Sequence, residues 1–420
     1  MDKATSQDET YMTTPELIKA HGYIPETHHI WTEDDYCLNV HRIPSPNRVP
    51  IKTDSITNTD TVINNICEDS NLSSSSDCHH DVLKTLRSSN ANSKLPILVN
   101  HGLLSSSADW VLLGPHKALA YVLCDNGFDV WLANARGNTY SKSHKHYSTK
   151  DKEFWDFSFH EIGYYDLPAM IDYILKKTGY SELYYIGHSQ GTTTFYIMLS
   201  ERPEYNSKIK GMISLAPIAF ISNQTSPLIK YVVHFIDLLQ WSSNFFNFYE
   251  WLPYNKLQAT LFSTLVRNAP CSVTKGICHY WFFLVAGFGS DQLDESMLPL
   301  IFGHFPAGGA MRQFIHFGQL VMSGHFRQFD YGAKMNLNRY GSIQPLKYNL
   351  ERIKVPIAIF YSDNDHLTHD TDIQKLVNKL PNVIEVKKIP YEKFNHIDYL
   401  WGRDAKTLLY NQIIMMLKKF

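Results

Sequence analysis

From Pro96 onward, short runs of wholly apolar residues alternate with stretches of helical spacing. Residues 96–100 (PILVN) and 128–134 (FDVWLAN) are short and almost uninterrupted in apolar character, and they read as buried strands. Residues 166–179 (DLPAMIDYILKKTG) put Leu167, Met170, Ile171, Ile174 and Leu175 on one helical face, and Gly179 marks the stop. LYYIGHSQG reads as a strand running into a turn, and TTTFYIMLSERP as a helix closed by Pro203. KGMISLAP, VPIAIFYSD and VIEVKKIP read as later strands. Helices between short, fully apolar strands predict an α/β fold with a mostly parallel sheet covered on both faces.

Elsewhere the pattern changes. Residues 1–12 are polar and read as a tail. Further on, HHIW and YCLNVHRIP are strand-like on either side of the turn signal Thr32-Glu33-Asp34-Asp35. Residues 45–94 are rich in Ser, Asn, Asp and Thr, bury too little apolar surface to offset their ordering entropy, and read as a flexible insertion. Between residues 220 and 340 the strand–helix rhythm is lost. KYVVHFIDLLQW there predicts one amphipathic helix, with Val232, Val233, Ile236 and Leu239 on one side, followed by the aromatic stretch SSNFFNFYEWLPY. The chain therefore divides into a first core part (13–219), a helical cap (220–340) laid over the end of the sheet, and a last core part (341–420).

Composition adds bounds. A 420-residue chain that is 44% hydrophobic and 19% charged holds a sizeable core. The net charge of −2 offers no basic field for nucleic acid. Protonating all 20 histidines would carry the formal charge from −2 to +18, so acid makes the surface cationic. No C-x-x-C pair suggests zinc or redox chemistry, but Cys271 and Cys278 are close enough to bridge a short loop. Asn71 and Asn223 sit in glycosylation acceptor patterns. The N-terminus lacks the apolar core of a secretory signal, and no run of about 18 apolar residues spans a membrane. Read as complete, the chain is cytoplasmic; otherwise its precursor carries the signal.

Gly187-His188-Ser189-Gln190-Gly191 fits G-x-S-x-G between an apolar strand and a helix, the context of a nucleophile elbow. The sharp turn leaves no room for side chains at the glycines and lifts the Ser189 hydroxyl to a helix N-terminus, where positive dipole favours an oxyanion. A serine needs a base, and the base an orienting acid. In this chain order the acid follows a late strand: Asp365, at the tip of the turn in PIAIFYSDNDHLTHD, is preferred, with Asp363 as the alternative. His366 and His369 in the same stretch lack a further ligand group, so no metal or cofactor is expected. His396, the last histidine, lies on a loop after a strand and is the expected base. Oxyanion donors are expected from the backbone N–H groups of Gln190 and of Leu103, which follows strand PILVN and His101-Gly102.

Taken together, the stretches HGLLSSSADW, FDVWLANARGNTYS, FWDFSFHEIGYYDLPAMIDYILKKTG, GHSQGTT, APIAF, FPAGGAMRQFIHFGQ, SGHFRQFDYG and FNHIDYLWG resemble the animal acid lipases, the gastric and lysosomal enzymes and their insect relatives. The resemblance runs from about Pro15 to the C-terminus. It implies the α/β-hydrolase fold, a triad of Ser189, Asp365 and His396, oxyanion donors at Leu103 and Gln190, and a cap over 220–340 with a mobile lid. It also implies a cysteine pair at Cys271 and Cys278, and secretion or lysosomal delivery. The expected activity is hydrolysis of neutral lipid esters, triglycerides or cholesteryl esters, through an acyl-enzyme, with transient contact at a lipid droplet or membrane surface. The same triad would serve a carboxylesterase on small soluble esters, whereas a non-enzymatic lipid-binding relative would have lost part of it. The aromatic run from Phe235 to Leu252 is expected to be shielded in water and to open at lipid.

Overall fold

A computed structural model of the chain describes residues 9–44, 95–268 and 283–420. The insertion at 45–94 with Asn71, most of the polar tail, and Cys271 with Cys278 lie outside the described residues. Residues 9–12, read as tail, are packed: Thr10 is buried, and the Glu9 carbonyl meets His304 Nε2 at 3.1 Å.

The hairpin read from the sequence forms from β1 (Glu26–Trp31) and β2 (Tyr36–Ile43), which pair antiparallel. It continues into β3 (Pro96–Asn100), β4 (Asp129–Leu132), β5 (Leu183–His188), β6 (Ile209–Leu215), β7 (Ile357–Tyr361) and β8 (Val383–Lys388). Among the described residues their order in the sheet is β1-β2-β4-β3-β5-β6-β7-β8, and every pairing from β4 to β8 is parallel.

The apolar runs are apolar because both faces of the sheet are covered. Ile97, Val99, Val130, Leu132, Ile186, Ile213, Leu215 and Phe360 join one core cluster. The alternate residues Leu98, Trp131, Tyr185, Met212, Ile357 and Ile359 join the other. On the second face lie helices α3 (Leu167–Thr178), closed by Gly179 at φ 75°, and α4 (Gln190–Glu201), which ends two residues before Pro203. The α/β-hydrolase arrangement of a mostly parallel sheet between helices is therefore present.

Between β6 and β7 the chain leaves the sheet. The single helix expected over KYVVHFIDLLQW is two, α5 (Pro227–Val233) and α6 (Ile236–Phe245), separated at His234–Phe235. Val233 and Ile236, on either side of the break, are both buried. Ile236 packs with Met311, Ile315 and Phe329, and a Cβ added at Gly318 of helix α9 (Met311–Ser323) would lie 2.7 Å from its Cδ1. Helices α7 (Lys256–Asn268) and α8 (Leu298–His304) lie between them in the chain. One side of α6 is thus spent on α9, so its aromatics face outward rather than being shielded as expected. Trp241, Phe245 and Phe246 are 58, 65 and 70% exposed.

Candidate active site

The elbow is held by contacts that only glycine permits. A Cβ on Gly187 would lie 2.7 Å from the Gly191 carbonyl oxygen, and one on Gly191 would lie 2.5 Å from that of Asn100. Ser189 itself sits at φ 53°, ψ −122°, a strained conformation for an L residue that the surrounding packing enforces. Tyr185 OH donates to the Gly191 carbonyl at 2.7 Å, and Asn100 Nδ2 donates to Tyr185 OH at 2.9 Å, tying the turn to the end of β3. Ser189 is half-buried and immediately precedes α4.

Of the two candidate acids, the structure brings Asp365 to His396. Its Oδ2 lies 2.8 Å from His396 Nδ1, and its Oδ1 accepts from the backbone N–H groups of Leu367 at 2.9 Å and Thr368 at 3.1 Å. The carboxylate is buried and fully engaged. Asp363 instead pairs with Lys388 at 2.8 Å on the surface. His369 Nδ1 caps the following helix, α11 (Asp370–Val377), by accepting from Thr371 N, and His366 stands edge-on to Phe288. No group of three metal-ligating side chains converges among the described residues.

The loop after β3 runs beside the serine. A Cβ on Gly102 would lie 3.2 Å from Ser189 Cβ and 3.6 Å from its Oγ. Among the described residues the backbone N–H groups of Leu103 and Gln190 donate to no protein acceptor, so both are free for an oxyanion. His101 braces this loop: Nδ1 faces the Gly102 carbonyl at 2.8 Å, and Nε2 accepts from Ala135 N at 3.1 Å. Burial pushes His101 down to about 4, so it stays neutral. Asp109, buried behind the loop, accepts from Ser105 Oγ, and burial pushes its carboxyl up to about 7.

His188 does more than fill the variable position of the elbow. Its Nε2 lies 3.0 Å from the His396 carbonyl oxygen and therefore carries the proton. Burial, then the neighbouring His396, hold it well below the ordinary histidine range. Ser189 Oγ makes no hydrogen bond to His396 in this arrangement, which is common before substrate binds.

Two supports were missed from the sequence, Asp109 and Asp398, as was the reach of His188, named there only as part of the elbow, to the His396 carbonyl. Asp398 accepts from Ser290 Oγ at 2.6 Å and from Asn395 N at 2.8 Å. The sequence signal was present for Asp109 and Asp398, since both lie inside the stretches HGLLSSSADW and FNHIDYLWG. Asn223 is exposed, but its Nδ2 donates to Asp372 Oδ1 at 2.8 Å, so its acceptor nitrogen is already engaged.

Comparison with known proteins agrees with this architecture. A partial α/β-hydrolase lipase region matches residues 14–114, and the α/β-hydrolase fold matches residues 96–267. Lipase 3 of Drosophila melanogaster is 38% identical, covering 96% of this chain and 92% of that one. Human gastric triacylglycerol lipase is 33% identical, over 98% of this chain and 92% of its own. Among solved structures, a putative lipase of Acinetobacter baumannii superposes with a TM-score of 0.51 at 10% identity, covering 100% of this chain and 97% of that one.

Proposed function

Since this chain belongs to the animal lipases of the α/β-hydrolase fold, the group that includes gastric triacylglycerol lipase and Drosophila Lipase 3, and is an ester-hydrolysing serine hydrolase, we propose that it cleaves neutral lipid esters at Ser189. The observation that carries this reading is the buried Asp365–His396 pair at 2.8 Å, whose histidine backbone is bonded to the residue before Ser189.

In the proposed reaction an acyl ester lies with its carbonyl carbon at Ser189 Oγ. His396 Nε2 takes the hydroxyl proton as Oγ attacks, and the oxyanion accepts from the Leu103 and Gln190 N–H groups. His396 then returns the proton to the leaving alkoxide, leaving an acyl-serine. A water attacks that ester by the same route, with His396 again as base. Asp365 keeps the proton on Nδ1 and stabilises the imidazolium as it forms. No metal or cofactor enters these steps.

The outward aromatics favour a lipid substrate over a small soluble one. Tyr231, Phe235, Leu238, Trp241, Phe245 and Phe246 face water on consecutive elements of one segment, an apolar exposure that ordinary soluble surfaces avoid. In our reading residues 220–340 form the cap, and this face meets a lipid droplet or membrane surface, delivering the ester to Ser189. We place the enzyme in a secreted or lysosomal setting, like that suggested by its gastric lipase relatives.

Purified enzyme assayed on a triglyceride emulsion, a cholesteryl ester dispersion and a short soluble ester tests this. Activity rising as substrate passes its solubility limit is expected. Activity on the soluble ester alone would favour a general carboxylesterase.

A further inference from the structure

Acid and base sit on separate loops, Asp365 and His396 being 31 residues apart. Catalysis depends on their relative placement, and a shift of about 1 Å can lower a rate roughly 100-fold. Besides the Asp–His bond, Asn364 Nδ2 donates to the Lys393 carbonyl at 2.8 Å. The main link, however, comes from neither loop. It comes from the far part of the long insertion between β6 and β7.

There the Ala286 carbonyl accepts two N–H groups, from His366 and from His396, each at 3.2 Å. One oxygen therefore joins the residue after the acid to the base itself. The next residues repeat the pattern. The Gly287 carbonyl accepts from Asn395 Nδ2 at 3.1 Å, on the base loop. The Phe288 carbonyl accepts from Asn364 Nδ2 at 2.9 Å, on the acid loop. Ser290 Oγ donates to Asp398 Oδ2 at 2.6 Å, and Asp398 in turn accepts from Asn395 N. Contact is close enough that a Cβ at Gly287 would lie 1.9 Å from the Asn364 carbonyl oxygen, and its φ of +130° already excludes most side chains. From the opposite side His188 Nε2 holds the His396 carbonyl. The base is gripped through its backbone at both ends, by the insertion at N–H and by the elbow at C=O.

We propose that Ala286–Ser290 is a positioning clamp, through which the insertion sets the Asp365–His396 geometry as well as covering the sheet. This rests on the triad reading above. The cap then acts on the chemical step for every substrate, large or small, and not only on lipid access.

The test uses the full chain and a short soluble ester, for which lipid access plays no part. Gly287→Ala is expected to lower kcat roughly 100-fold with KM within about twofold of wild type. Unchanged kcat, or a raised KM with kcat intact, overturns the clamp. Should Gly287→Ala fail to fold, Ser290→Ala decides. It removes one hydroxyl and is expected to lower kcat several-fold at constant KM, with Ser290→Thr restoring it. A lower melting temperature with unaltered kcat in Ser290→Ala means a merely structural contact and overturns the proposal. Wild-type and Ser189→Ala controls separate the two ideas: equal activity in both overturns the triad reading, and the clamp with it.

Discussion

Two carboxylates two positions apart, Asp363 and Asp365, have opposite environments. One reaches solvent and Lys388; the other is buried against His396 and two backbone N–H groups. Only the buried one can fix the histidine tautomer and stabilise the imidazolium. Asp365→Asn is therefore expected to lower kcat by about 10⁴-fold, as the equivalent change does in other triads. Asp363→Asn should stay within about threefold, the scale of a surface ion pair. Comparable kcat losses in the two variants would move the acid. At this scale the residues proposed as elbow, acid and base could be located because each has an expected place in chain order, and Asp365 was preferred to Asp363 for its position in the turn; the structure brings Asp365, not Asp363, to His396. The supporting contacts were not legible. The reach of His188 to the His396 carbonyl spans 208 residues, and the Ala286 carbonyl is a backbone atom that residue type does not mark.

Elements of the sheet were legible because burial on both faces demands continuous apolar runs, and each such run became a strand. The helix Leu167–Thr178 stopped at Gly179, whose left-handed conformation ends it. The insertion was less legible. Periodicity joined α5 to α6, since Val233 and Ile236 fit one helical face, but tertiary packing onto α9 broke the helix between them. It also could not say which side of α6 faces solvent. Phe245 and Phe246 lie outward at its end, so they contribute little to packing and are available to a lipid surface. Each Phe moved from water into an apolar phase contributes about 1.5–3 kcal/mol. Changing both to Ala should lower the rate on emulsified triglyceride by roughly tenfold or more, since about 1.4 kcal/mol is a factor of ten. The rate on a short soluble ester should hold within about twofold on the same grounds. Parallel losses on both substrates would make these residues structural.

For the whole molecule, acid charging is smaller than the histidine count suggests. His41 and His316 are pushed down to about 3, and His101 and His304 to about 4, chiefly by burial, while His188 lies well below its ordinary range. Asp109 works in the opposite sense. Its carboxyl rises from 3.8 to about 7 on burial, so in that window the folded protein holds a proton that the unfolded chain has released. Its contribution favours folding at acid pH and is lost as pH rises through the window. Asp109→Asn has no such dependence. Melting temperatures at pH 5 and pH 8 should show the variant gaining on wild type at pH 8; a difference independent of pH would contradict this. The α/β architecture was legible in the strand–helix rhythm, while the folding of the insertion back onto the loops of Asp365 and His396 depends on contacts far apart in the chain. Ser189 is the proposed nucleophile, and covalent trapping reads that assignment most directly. The enzyme is treated with a fluorophosphonate ester analogue, digested, and mapped by mass spectrometry. One phosphonyl group per chain is expected, on the peptide carrying Gly187-His188-Ser189-Gln190-Gly191 and absent in Ser189→Ala, with hydrolysis lost in step with labelling. Complete inactivation with the adduct on any other residue would contradict it.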